Sequence, residues 1–409
     1  MDRHPATIPK SVPTSPFGPP GDATPASPPV EEAACTLLRA VACGPATGDA
    51  RRLQALADEI RDWDALLALT QMHRVAPALF ACLSRSEIQI PEAAWNRLHA
   101  EYQRNLLHNL SSAAELAAIL ELFKQAGIRA MPFKGVVLAA TAWGDLTSRP
   151  GGDLDLLLDE QHIEQATRLL RERGYHLQTA LHPDGAQIEP DNHEYGLQRP
   201  SDGLVVELRW RLDMVYGRFG RNLGLDWVWP RRGTATVAGS TVPDLSPDTA
   251  LLILCMHGSK HSWSRLVWIM DVARMADSSP DLDWTALIRE ARSLGLGRAL
   301  ALGMLLAHQV AGAALPPGVL ARFCADRVAQ RLAAHFSHSL FRAPGVQPEG
   351  VVPYNIQLLD FRDRLRLLPS LALLRPNEHD RAFVSLPRPL HGLYYLIRPF
   401  RILLNRSAR

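Results

Sequence analysis

Cysteine is scarce in this 409-residue chain. The five present, Cys35, Cys43, Cys82, Cys255 and Cys324, are odd in number, scattered, and free of any Cys-x-x-Cys step. That excludes a disulfide framework and a zinc knuckle, and makes a reducing cytoplasm the expected compartment. Charge of one sign is lacking as well: 44 Lys and Arg against 42 Asp and Glu leave a net charge of +2. A long nucleic acid selects a strongly basic face, so no nucleic-acid partner is expected. Long apolar runs are also missing. The most apolar stretch, 299–315, is interrupted by His308 and Gln309 and falls short of the roughly 20 residues of a membrane span, so it reads as a buried helix. The first ten residues lack the apolar region of a secretory signal. No internal repeat is visible.

What is present is a globular composition, 47% hydrophobic and 21% charged, long enough for two or three packed units. Residues 1–30 are rich in Pro, Ser, Thr and Gly, and such a segment cannot bury enough apolar surface to order itself, so a disordered tail is expected. Over 31–125 the apolar residues recur at helical spacing: Leu37, Leu38 and Val41, then Leu53, Leu56 and Ile60, then Leu66, Leu67 and Leu69. A long helix is predicted from 93 to 125, ending before Gly127. The pattern changes over 126–245. Strands are predicted at 128–133, 153–158, 194–198 and 204–210, with helices at 135–143 and 162–173. The last two strands are joined by the turn residues Arg199-Pro-Ser-Asp-Gly203. From 246 the chain reads as helical again, over 247–259, 262–277, 283–294, 297–313, 318–337 and near 356–368, with a Pro- and Gly-rich loop at 344–353. The expected class is α+β: a small mixed sheet core, an N-terminal helical region and a C-terminal helical domain.

The chemistry concentrates in Arg149-Pro-Gly-Gly-Asp-Leu-Asp-Leu-Leu-Leu158. Alternation along a strand puts Asp153 and Asp155 on one face and turns Leu154 and Leu156 into the core. Two adjacent carboxylates repel unless a cation lies between them, and Mg²⁺, or Mn²⁺, suits such oxygen ligands. An acidic solvated strand would carry the same pair, so the neighbours matter. Gly151 and Gly152 let a phosphate approach the backbone, and Arg149 adds a fixed cation. Lys134-Gly135 lies where a strand turns into a helix, a place that attracts phosphate. A third carboxylate stands in Leu204-Val-Val-Glu-Leu-Arg-Trp210. Its apolar face takes Val206, Leu208 and Trp210, which leaves Glu207 free to join the aspartates if the strands are neighbours.

Met131-Pro-Phe-Lys-Gly135, Trp143-Gly-Asp-Leu-Thr-Ser-Arg149 and Gly152-Asp-Leu-Asp-Leu-Leu-Leu158 together resemble a family of bacterial nucleotidyltransferases with a polymerase-β-like core. The resemblance extends to Val206-Glu-Leu-Arg-Trp210, Leu254-Cys-Met-His-Gly-Ser-Lys-His261, Trp263-Ser-Arg-Leu-Val-Trp-Ile-Met-Asp271, Leu386-Pro-Arg-Pro-Leu390 and Leu393-Tyr-Tyr-Leu-Ile-Arg-Pro399. Two departures stand out: Arg209 replaces the family's frequent His, and Glu207 its more usual Asp. The resemblance implies transfer of a nucleoside monophosphate from a nucleoside triphosphate to an acceptor hydroxyl, with release of pyrophosphate. Asp153, Asp155 and Glu207 would hold two metal ions, and Lys134, Gly135, Arg149, Gly151 and Gly152 the phosphates.

His257 and His261 share one helix face but lack the Glu of a zinc-hydrolase motif, since Gly258 follows the first. They are expected instead on a polar face turned toward the cleft, with Lys260 and His261 near the triphosphate or acceptor. Packing against Trp263 and Trp268 is the simpler alternative, and Asp271 is expected to be a structural hydrogen-bonding residue. Neither nucleotide nor acceptor is specified. The competing expectations are a nucleotide-binding regulatory protein or structural partner with little turnover, and a peripheral membrane contact through the basic, aromatic tail over 393–401.

Overall fold

The computed structural model describes residues 32–44, 50–178, 194–212, 223–342, 344, 346–348, 354–359, 383–395 and 397–398. The expected tail over 1–30, most of the 344–353 loop and of the helix near 356–368, and the basic end from 399 lie outside the described residues.

The apolar periodicity of the first region resolves into five helices: α1 (Glu32–Cys43), α2 (Ala50–Asp58), α3 (Trp63–Met72), α4 (Ala76–Arg85) and α5 (Glu92–Gln125). Asp62 starts α3 by accepting from the Ala65 N–H at 2.9 Å, the usual service of an N-cap carboxylate. By length and composition α5 could cross a membrane. Here its first half packs on α3 and α4 and its second half on the sheet unit.

The sheet unit follows: β1 (Ala130–Pro132), α6 (Gly135–Thr141), β2 (Leu154–Leu158), α7 (Ile163–Glu172), β3 (His176–Leu177), β4 (Glu194–Gln198), β5 (Val205–Arg209), α8 (Leu225–Val228), β6 (Gly233–Val237) and β7 (Ser240–Asp244). Five strands form one mixed sheet in the order β1-β2-β5-β4-β3. β2 and β5 are its parallel pair, in a register that sets Asp155 opposite Glu207. The β4–β5 hairpin closes as the turn residues require, with Gly203 at φ 74° and its N–H donating to the Arg199 carbonyl at 2.8 Å. β6 and β7 form a separate hairpin that the sequence reading did not anticipate. Its turn, Ala238-Gly239, takes positive φ at both residues, 48° and 83°. That is the handedness tight hairpins favour, but Ala is a poor marker for it. Trp210, expected on the buried face of the fourth strand, instead lies half-buried just past β5, edge-to-face with Tyr195 at 5.4 Å.

The helical remainder is α9 (Pro247–Lys260), α10 (Leu266–Asp277), α11 (Trp284–Ser293), α12 (Gly297–Ala311), α13 (Pro317–Cys324), α14 (Arg327–Ser339) and the short α15 (Tyr354–Gln357). The single helix predicted over 318–337 is two. Asp326 interrupts it and caps α14, accepting from the Val328 and Ala329 N–H groups at 3.0 Å each.

Two buried clusters hold the chain together. One lies under the sheet, among Leu116, Ile119 and Phe123 of α5, Leu154, Leu156 and Leu158 of β2, and Val206 and Leu208 of β5. The other joins α1–α4 to α9–α14, with α12 at its centre. The helices before the sheet therefore share a core with those after it. His73, fully buried beyond α3, pins the two sets: its Nδ1 accepts from the Leu266 N–H at 3.2 Å, and its carbonyl from Val267 at 3.3 Å.

Candidate active site

The loop that delivers Asp153 is held in three places. Asp145 shapes its start, accepting from the Thr147 and Ser148 N–H groups at 2.7 and 2.6 Å. Its middle lies along α5. Asn105 donates to the Thr147 and Arg149 carbonyls at 2.7 and 2.9 Å and accepts from the Gly151 N–H at 2.6 Å. Asn109 donates to the Leu146 and Arg149 carbonyls at 2.7 and 3.0 Å. His108 Nε2 lies 3.1 Å from the Gly152 carbonyl. Gly151 is required by this closeness: a Cβ there would lie 2.2 Å from His108 Cδ2 and 2.5 Å from Asn109 Oδ1. The third fixture is Arg149, which is 9% exposed and forms a two-pronged pair with Asp271 of α10 at 2.8 and 2.9 Å. Arg149 Nη1 also donates to the Gly135 carbonyl at 3.1 Å. The expected cation beside the glycines is thus in the cleft wall, but its charge is matched by Asp271.

Asp153 and Asp155, two residues apart at β2, face the same side, and the parallel pairing brings Glu207 of β5 beside them. One carboxylate oxygen from each of the three lies within 4.8 Å of the others. Among the described residues this is the one group of three or more His, Cys, Asp or Glu side chains placed to hold a metal ion. Desolvation first, then the charges of Asp155 and Asp153, push the Glu207 carboxyl up to about 8. Desolvation pushes Asp153 the same way, but the hydrogen bond from Glu207 and the cations Lys134 and Arg74 outweigh it and hold Asp153 below the ordinary carboxylate range. Three converging carboxylates, one of them inclined to keep its proton, are a hard-oxygen donor set, and that fits a divalent cation such as Mg²⁺.

Two cations of the chain already lean on this set. Lys134 Nζ lies 3.2 Å from Asp155 Oδ2. It projects from a backbone at φ 74°, a conformation L side chains rarely adopt, at the turn into α6. Gly135 completes the turn at φ 54°, where a Cβ would press on the Asp153 carbonyl at 3.3 Å. Arg209 Nε is 3.3 Å from Asp155 Oδ1, and its Nη groups pair with Glu207 and Glu194.

These groups line a cleft of about 450 Å³. Its far wall carries His257 and Lys260 from α9 and His261 just past its end, with Arg265 and Trp268. The two His rings meet at 4.7 Å, and each contacts Trp268 at 5.2 and 5.1 Å. Burial and the nearby cations, Lys134 first, hold His257 well below its ordinary value. His261 opens to the cleft along one edge, yet desolvation by the wall and the charge of Lys260 bring it to about 4. Both are neutral at pH 7. Gly258 between them carries the indole of Trp263, which a Cβ would meet at 2.4 Å.

The structure therefore brings Lys134, Gly135, Arg149, Gly152, Asp153, Asp155, Glu207, Lys260 and His261 to one cleft, while Gly151 turns toward α5. Sequence reasoning missed Arg74, Glu194, Arg265 and the asparagines of α5. Only the Asn105, His108, Asn109 spacing gave a signal, one polar helix face inside an apolar helix.

The family described as uncharacterised nucleotidyltransferase matches residues 59–312. No curated protein matches. Among solved structures, the lincosamide antibiotic adenylyltransferase LnuA, crystallised with lincomycin, is similar at 17% identity over 34% of this chain and 83% of that one, with a TM-score of 0.26. With the family match covering most of the chain, sheet and cleft included, the protein belongs to the uncharacterised nucleotidyltransferase family.

Proposed function

We propose that this chain transfers a nucleoside monophosphate from a nucleoside triphosphate to an acceptor hydroxyl and releases pyrophosphate. The observation that carries the reading is the convergence of Asp153, Asp155 and Glu207 within 4.8 Å in the cleft. Asp153, Asp155 and Glu207 would hold Mg²⁺ or Mn²⁺, which when bound supplies charge neutralisation at the reacting phosphate and the attacking oxygen. The chain's own groups do the rest. Gly152 keeps the turn before Asp153 open to a phosphate, and Lys134 adds positive charge beside Asp155. Arg149 fixes the loop through Asp271 and Gly135, so its service to the phosphates is positional. As the acceptor oxygen bonds to the α-phosphorus, its proton leaves to solvent, while Glu207 would serve beside Asp153 and Asp155 as a metal-holding carboxylate. Lys260 and His261 face the space left for the acceptor or the triphosphate. Incubating candidate acceptors with each nucleoside triphosphate and Mg²⁺, followed by mass spectrometry, tests the reading. A nucleoside monophosphate added by the wild type and not by Asp153→Asn is the expected result.

One observation favours a second reading, a nucleotide-binding protein with little turnover. Arg209 stands where the family often has His, and it pairs with Asp155 and Glu207. A protein cation there competes with metal for the same oxygens. Nucleotide binding without pyrophosphate release, together with a rise in turnover for Arg209→His, would mark that reading.

A further inference from the structure

The cleft has two halves of opposite character. One is the carboxylate set, with Lys134 and Arg209 drawn onto it. The other holds Arg74 and Arg265. Arg74 leaves the backbone at φ 56° between α3 and α4, and its guanidinium lies over the Gly151-Gly152 turn. Nη2 donates to the Gly151 carbonyl and would stand 3.4 Å from a Cβ at Gly152. Arg265, at the start of α10, lies over the Trp268 ring at 5.3 Å. Among the described residues neither arginine has a carboxylate within ion-pair distance, whereas Arg149 between them is matched by Asp271. Arg74 is held below its ordinary value by burial and then by the like charges of Arg149 and Arg265. Half-buried cations that repel one another beside an open cavity call for an anion, and the planar guanidinium matches phosphate oxygens two at a time.

We propose that Arg74 and Arg265 form the subsite for the β- and γ-phosphates, the part of the nucleotide that leaves as pyrophosphate. The inference rests on the nucleotidyl-transfer reading and adds to it where the leaving group lies. As the acceptor oxygen bonds to the α-phosphorus, the bond from that phosphorus to the bridging oxygen breaks, and its electron pair stays with the pyrophosphate. The charge that grows there faces two arginines that no carboxylate pairs with directly, Asp153 acting on both only at longer range. The arginines come from either side of the sheet in the sequence, one before it and one after it. The helices on both sides of the catalytic strands would then grip a single triphosphate.

Calorimetry on the full chain with Mg²⁺ tests this, using ATP (or whichever nucleoside triphosphate binds), the matching monophosphate and inorganic tripolyphosphate as probes. Arg74→Gln and Arg265→Gln should each weaken the triphosphate and tripolyphosphate by about tenfold or more, with monophosphate affinity unchanged within about twofold. Arg74→Lys should recover part of the loss. Arg265→Gln removes only a ring contact, so it reports on binding even if Arg74→Gln fails to fold. Triphosphate affinity unchanged in Arg265→Gln and in a folded Arg74 variant would overturn the subsite, as would equal losses for tri- and monophosphate. Wild-type protein that binds tripolyphosphate through these arginines but no nucleotide would uphold the anion site and overturn the nucleotide reading. Binding of neither would overturn both.

Discussion

Asp155 is only 6% exposed, and it shares its oxygens with Lys134 and Arg209 while facing Glu207 across the parallel pair. Asp155→Asn keeps the volume and removes the charge. We expect transfer to fall by at least about a hundredfold, the loss typical of removing one group that stabilises a transition state. Circular dichroism should show the fold retained, and activity within about tenfold of wild type would contradict the metal assignment. Glu207 separates into its own test. Glu207→Gln should lower kcat strongly while nucleotide affinity survives, because the aspartates still face the triphosphate. A rise in KM with kcat unchanged would mean that Glu207 serves ground-state binding instead. The three carboxylates were legible in the sequence because their logic is local: alternation along two strands, with leucines and valines on the other face. Arg74 and Arg265 were not, since nothing in a sequence separates an arginine that faces a cavity from one in solvent.

At the scale of elements, the loop that delivers Asp153 is held by α5, a helix that precedes it in the chain. α5 was legible as a long helix, while the packing of its Leu116, Ile119 and Phe123 under the sheet came only from the structure. Its asparagines were not singled out, because only the packed structure reveals that the Leu146, Thr147 and Arg149 carbonyls lie on them. Asn105→Ala removes two donated bonds and one accepted bond from the loop. Each such bond contributes about 1 kcal/mol net, so a loss of about 1–3 kcal/mol is expected in chemical denaturation. Activity should fall further than stability explains, since the same bonds aim Asp153. Asn105→Asp, which keeps the acceptor for Gly151 and loses both donors, should fall between. Equal activity per folded molecule in all three proteins would reduce α5 to a scaffold. The β6–β7 hairpin and the break at Asp326 show why other elements escaped prediction. In one case a turn uses Ala where Asn or Asp is the usual marker, and in the other an Asp inside an apolar periodicity acts as a cap.

Over the whole molecule, the periodicity changes near 126 and 246 were visible, but not that the helices outside them share one core. His73 and the Arg149–Asp271 pair hold that arrangement at the cleft. Asp271→Ala would leave the Arg149 charge buried and unpaired, so a loss of about 3–5 kcal/mol is expected by urea denaturation. His73 gives the arrangement a pH dependence. Burial, with Arg265 adding, lowers its imidazole from 6.5 to about 4. Below 6.5 the unfolded chain takes up a proton that the folded chain refuses, so the stability from this group is complete above 6.5 and is lost as pH falls toward about 4. The difference amounts to about 3 kcal/mol. His73→Asn, which can still accept from Leu266 but does not titrate, should reduce the slope of the urea midpoint between those limits, leaving the part that His257 and His261 contribute. An unchanged slope would exclude a contribution from His73. The central claim, that the cleft moves the α-phosphate and discards the other two, is tested most directly by following two labels on the nucleoside triphosphate in the presence of acceptor and Mg²⁺. The account predicts that the α-label appears on the acceptor, that the γ-label appears in free pyrophosphate, and that both signals vanish with Asp155→Asn. A γ-label on the acceptor, or transfer that persists in Asp155→Asn, would contradict it.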